Sequence, residues 1–127
     1  MKEITPENMM ETALNIIDFL NEKACWFDVH IYVANRCLKS NKYMDDRDSW
    51  VEKKTLNNTI YYEKEDVDVR ENLEYCNPET ITMTFEGPLY SVINYEDYDF
   101  VFNMTKKFLD EYGLYFEQGH AWSMAAY

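Results

Sequence analysis

His30 and His120 are the only imidazoles in this chain, so a general base near neutrality must use one of them unless a carboxylate or thiol is strongly shifted. His30 stands between Asp28 and Tyr32 at alternating positions. On a strand each of those neighbours is about 7 Å away, so a carboxylate orients the imidazole only through side-chain reach. His120 follows Glu117-Gln118-Gly119 and precedes Trp122, a pattern suited both to a pocket rim and to a hairpin loop. One expectation is therefore a small ligand-binding domain or enzyme whose pocket joins Tyr32, His30, His120 and Trp122 near a sheet edge.

The remaining chemistry is sparse. Cys25, Cys37 and Cys76 are odd in number and form no CxxC or CxxH pair, which favours buried reduced thiols over a disulfide framework or a zinc site. The three glycines, Gly87, Gly113 and Gly119, are isolated, and the chain has no Gly-rich phosphate loop, GxSxG elbow or HExxH helix. No catalytic residue, metal or cofactor is expected, and the balance is against an enzyme.

Carboxylates dominate instead. Twenty-four Asp and Glu against twelve Lys and Arg give a formal charge of −12. Such a chain repels bare nucleic acid and anionic membranes and suits a basic protein partner. The acids cluster at Asp45, Asp46 and Asp48, at Glu63, Glu65, Asp66 and Asp68, at Glu96, Asp97 and Asp99, and at Asp110 with Glu111. The first cluster lacks the Gly and terminal Glu of a calcium loop. Lys53, Lys54, Lys64 and Arg70 dilute the earlier clusters, whereas residues 86–117 hold seven acids and only Lys106 and Lys107.

Glu96, Asp97, Asp99, Asp110, Glu111 and Glu117 are thus the expected protein-binding residues, with tyrosines nearby to supply apolar area and a hydroxyl. A 15-residue helix is about 22 Å long and can display a short array of charge resembling a phosphate backbone. In size and charge the chain resembles the small acidic inhibitors that phages and plasmids use against restriction or CRISPR nucleases. That resemblance implies an acidic module that mimics nucleic-acid charge and blocks a nucleic-acid-binding enzyme. A homodimer built on an exposed sheet face or edge is a further expectation.

The elements that must position these residues read as one α+β domain over residues 1–127. At 46% hydrophobic and 17% aromatic, the chain has ample material for one core. A helix is expected over Pro6–Lys23, capped by Thr5, with Met10, Ala13, Leu14, Ile17 and Leu20 on one face and Met9, Ile16 and Phe19 widening it. Period-two alternation predicts a strand over Trp26–Ala34 with Phe27, Val29, Ile31 and Val33 on one side, turning at Asn35-Arg36 into a strand over Cys37–Ser40. Asn41–Asn58 reads as an irregular excursion, with Trp50 and Val51 packed on the body.

Further strands are expected over Thr59–Lys64 and Thr80–Glu86, the latter with Ile81, Met83 and Phe85 inward and its threonines outward. Between them, Asp66–Tyr75 reads as a short helix or turn with Val67, Val69 and Leu73 inward, ended by Asn77-Pro78. Leu89–Asn94 suits either a strand or a helical turn. A second long helix is expected over Tyr98–Tyr112 with Asp97 as cap, Val101, Met104, Phe108 and Leu109 inward and Gly113 as stop. A final hairpin should fold Leu114–Gln118 onto Ala121–Ala126 around Gln118-Gly119. The sum is a largely antiparallel sheet of about five to six strands with two main helices on one face. The acidic N-terminus, without a secretory pattern or a run of about 20 apolar residues, leads to a cytoplasmic expectation.

Overall fold

Alternation of apolar residues at helical and strand periods produces the expected layers in the computed structural model, which describes residues 6–40, 50–65, 80–120 and 123–126. The Thr5 cap, the cluster at Asp45, Asp46 and Asp48, the element over Asp66–Tyr75, the Asn77-Pro78 break, Cys76 and Trp122 lie outside those residues. Helix α1 spans Pro6–Glu22. Its buried residues are Met9, Thr12, Ala13, Ile16, Ile17, Phe19 and Leu20, so the helix is rotated slightly from expectation and Met10 and Leu14 sit at the margin.

Seven strands, β1 (Val29–Val33), β2 (Arg36–Lys39), β3 (Val51–Lys54), β4 (Ile60–Lys64), β5 (Ile81–Phe85), β6 (Phe116–His120) and β7 (Ser123–Ala126), form one sheet. Its order is β3-β4-β2-β1-β5-β7-β6, and every neighbouring pair is antiparallel. Among the described residues, helices α2 (Pro88–Ser91) and α3 (Phe100–Tyr112) accompany the sheet and α1, joined by a π-helical turn over Val92–Glu96. The architecture is α+β, with a slightly larger sheet than the sequence suggests.

Directly opposed residues on neighbouring strands share a sheet face. The row Leu38, Ile31, Met83, Met124 is buried and lies on the face covered by the helices. There Phe19 of α1 meets Phe100 and Phe108 of α3, both at 5.9 Å between ring centroids, and Phe108 meets Phe116 of β6 edge-on. The other face is not simply solvated: Cys37, Lys39, Thr82 and Ser123 are buried on it, and the Lys39 ammonium lies 4.0 Å from the centre of the Trp50 ring. This corrects the outward placement of Thr82.

Local backbone conformation accounts for the other differences. Ala24 and Asp28 adopt left-handed conformations, so extended backbone begins only at Val29; Phe27 is exposed, while Trp26 is buried with its indole N–H donating to the Ile60 carbonyl. The β1–β2 turn is Ala34-Asn35, where both residues have positive φ as a type I′ hairpin turn requires, and Arg36 already pairs with Val33. A strand appears at Val51–Lys54 inside the expected excursion because β3 is an edge strand held by backbone pairing to β4. Leu89–Asn94 is helical, opened by Pro88 at the first position. Gly87 permits the close approach of the Phe27 carbonyl, which would lie 2.9 Å from any Cβ there.

At the C-terminal end, β6 runs through Gln118-Gly119 with a register irregularity, so these residues belong to a strand rather than to the expected turn. In α3 the buried residues Phe100, Met104, Phe108 and Tyr112 repeat every fourth position, which places Leu109 about a third of a turn away and half-exposed. Among the described residues no helix is long and apolar enough to cross a membrane.

Candidate protein-binding surface

The surface around α3 is built by its two ends. The π-helical turn closes with the Asp97 N–H donating to the Val92 carbonyl at 2.7 Å. The chain then restarts as α3: Asp97 Oδ1 accepts the Asp99 N–H at 3.1 Å, and the Asp99 carbonyl accepts the Asn103 N–H at 2.9 Å. Asp99, rather than Asp97, is the N-cap residue. Both carboxylates sit at the positive end of the helix dipole, where negative charge is favoured. At the far end Gly113 adopts a left-handed conformation with φ 69° and donates to the Leu109 carbonyl, ending the helix. Asp110 and Glu111 occupy the last turn, where the dipole disfavours them; that turn holds no basic residue, and Lys106 and Lys107 stand one turn earlier.

Between these ends α3 exposes two large apolar side chains, Phe102 and Leu109, beside exposed Asn103, Lys106 and Lys107. Phe102 is 64% exposed and Leu109 half-exposed; they are seven residues apart and therefore share one side of the helix. Tyr98, 80% exposed, stands at the helix start, with Tyr95 exposed in the preceding turn. The Lys106 ammonium lies 5.8 Å from the centre of the Phe102 ring. This flank continues from Thr105, whose hydroxyl accepts the Phe116 N–H of β6 at 3.1 Å, so it faces past the β6 edge. Exposed Tyr115 adjoins it in sequence.

The six acids expected to bind a partner are all exposed but do not form one face. Glu96, Asp97 and Asp99 group at the start of α3, and Asp110 lies eleven residues after Asp99, about 16 Å along the axis. Glu111 turns toward α1 and lines a cleft with Lys107. Glu117 shares the row of Ala125, Thr82 and Tyr32, on the side of the sheet opposite the helices. None of Glu96, Asp97, Asp99 or Asp110 takes part in an ion pair among the described residues.

His30 and His120 fall on one cross-strand row, Lys39–His30–Thr84–Ser123–His120. Three strand spacings separate them, about 14 Å. His30 and Tyr32 are neighbours on that same face. Cys37 is paired across from Tyr32, and burial pushes its thiol up to about 12 despite the nearby Lys39 and Lys64 charges and a hydrogen bond from Tyr32.

Two polar assemblies were not readable from spacing, because each joins segments far apart in the chain. The cleft of about 420 Å³ between α1, α3 and the β3–β4 turn is lined by Asn15, Asp18, Phe19, Thr59, Lys107 and Glu111, among others. At its margin Asp18 accepts the Thr55 hydroxyl at 2.5 Å, the Thr59 hydroxyl at 2.7 Å and the Asn57 amide at 3.3 Å. Beside the β2–β4–β3 edge, buried Glu63 accepts from Lys53 at 2.6 Å and Arg36 at 3.3 Å through Oε2, while Oε1 has no hydrogen-bond partner. The hydrogen bond to Glu63 raises the Lys53 pKa, opposed by desolvation.

No protein-family model, curated protein or solved structure matches the chain.

Proposed function

We propose that the protein is a non-enzymatic, cytoplasmic protein-binding module that engages a basic surface through α3 and the turn before it. The concrete form of this reading is inhibition of a nucleic-acid-binding enzyme, such as a restriction or CRISPR nuclease, by occupying its basic groove. The observation that carries it is the coincidence of exposed Tyr95, Tyr98 and Phe102 with the exposed carboxylates of Glu96, Asp97, Asp99 and Asp110, none of them in an ion pair among the described residues. Exposed aromatic side chains supply contact area that monomeric surfaces rarely leave uncovered, and the acids supply steering toward a basic partner. Asp110 adds support: it stands where the helix dipole opposes it, so its charge is not explained by the dipole.

Titration of immobilised candidate nucleases with the wild-type protein and with a variant reversed at Asp97, Asp99, Asp110 and Glu111, each at low and high salt, tests the reading. Binding is expected to weaken steeply with salt and to be lost on reversal. Reversal that leaves both affinity and salt dependence unchanged overturns the surface assignment.

A further inference from the structure

Resting on that reading, we infer that the partner element bound by α3 is an amphipathic helix with basic residues at two points about three turns apart and apolar residues between them. The acids of this surface stand in two groups, at Glu96, Asp97 and Asp99 and at Asp110, with the carboxylates of Asp99 and Asp110 separated by about 16 Å of helix axis. Between them α3 exposes Phe102 and Leu109 with Asn103 and Lys106 alongside, Lys107 turns toward the α1 cleft, and Tyr98 adds apolar area at the first group.

Each feature selects against an alternative occupant. A continuous polycation meets Lys106 in the middle of the surface, where like charges repel, so cations are accepted at the ends and refused at the centre. A second copy of this chain fails in both orientations: packed parallel or antiparallel along α3, it sets one acidic group against another. The seven-residue repeat of Phe102 and Leu109 matches the i, i+7 ridge of a facing helix, whereas an extended strand covers the same length in about three residues and places alternate side chains away from the stripe. The apolar centre then provides the contact area that holds the complex, and the terminal acids set its register.

Fluorescence anisotropy with a labelled synthetic helical peptide tests the inference. The peptide carries paired Arg residues at its two ends, about three turns apart, with Leu facing α3 between them; an isomer of the same composition gathers the Arg residues at its centre. The end-charged peptide is expected to bind, the isomer at least about tenfold more weakly, and Phe102→Ala with Leu109→Ala to cost a further loss of at least about tenfold. Both replacements lie on exposed side chains, and an unchanged melting temperature verifies the fold. Equal binding of the two peptides, or full binding by the Phe102→Ala, Leu109→Ala variant, overturns the helix assignment. If binding in that case still disappears on reversal of Asp97, Asp99 and Asp110, the acidic-surface reading stands without it; if neither peptide binds, the helix assignment falls and the nuclease titration alone decides the acidic-surface reading.

Discussion

Asp18 accepts hydrogen bonds from two threonine hydroxyls and an amide of the β3–β4 turn, tying that hairpin to α1. Thr55 and Thr59 are themselves buried, so removing the carboxylate leaves hydroxyl donors without partners. Asp18→Ala is expected to cost about 2–3 kcal/mol in urea denaturation, and Asp18→Asn, which keeps one acceptor, a smaller part of that. Glu63 plays a comparable part farther along the same hairpin, where its carboxylate draws Lys53 of β3 and Arg36 of β2 onto one oxygen. Neither role follows from sequence spacing. Asp18 is one of several polar residues on an amphipathic helix, and Glu63 reads as one member of an acidic run, yet both are gathered by partners from distant segments. The histidines were conspicuous for the opposite reason, rarity, and their register positions keep them apart.

At the level of elements, α3 carries a conflict between stability and charge. Asp110 combines low helix propensity with an unfavourable position against the dipole. Asp110→Gln is therefore expected to raise stability by about 0.5 kcal/mol in chemical denaturation while weakening partner binding; a variant that gains stability without losing binding removes Asp110 from the surface. The helix itself was legible because Met104, Phe108 and the Gly113 stop give both period and boundary, and β1 and β5 were legible because their inward residues alternate. What escaped was phase and backbone sign. Leu109 differs from the buried stripe by one step around the helix, and the positive φ of Asp28, Ala34 and Asn35 shifts a strand start and a turn. The β3 strand has no apolar alternation to read, since its residues Val51-Glu52-Lys53-Lys54 are mostly exposed and its order comes from pairing.

Across the whole molecule, a formal charge of −12 means that like charges repel on average even though particular pairs attract. Melting temperature is expected to rise as sodium chloride is added from very low ionic strength, because screening relieves the general repulsion more than it weakens the buried contacts of Glu63; a fall on addition of salt, followed by calorimetry, would show that attractive pairs dominate instead. The sheet order has a different consequence, in time rather than energy. The β1–β2 and β6–β7 hairpins are each local, but they are joined only through β5, which pairs with β1 across the stretch 34–80 and with β7 across the whole of α2 and α3. Loop closure on that scale precedes any gain from the contacts it creates. Docking of β5 is thus the event that makes one sheet out of two ribbons, and the molecule should spend most of its folding time waiting for a single central strand to arrive.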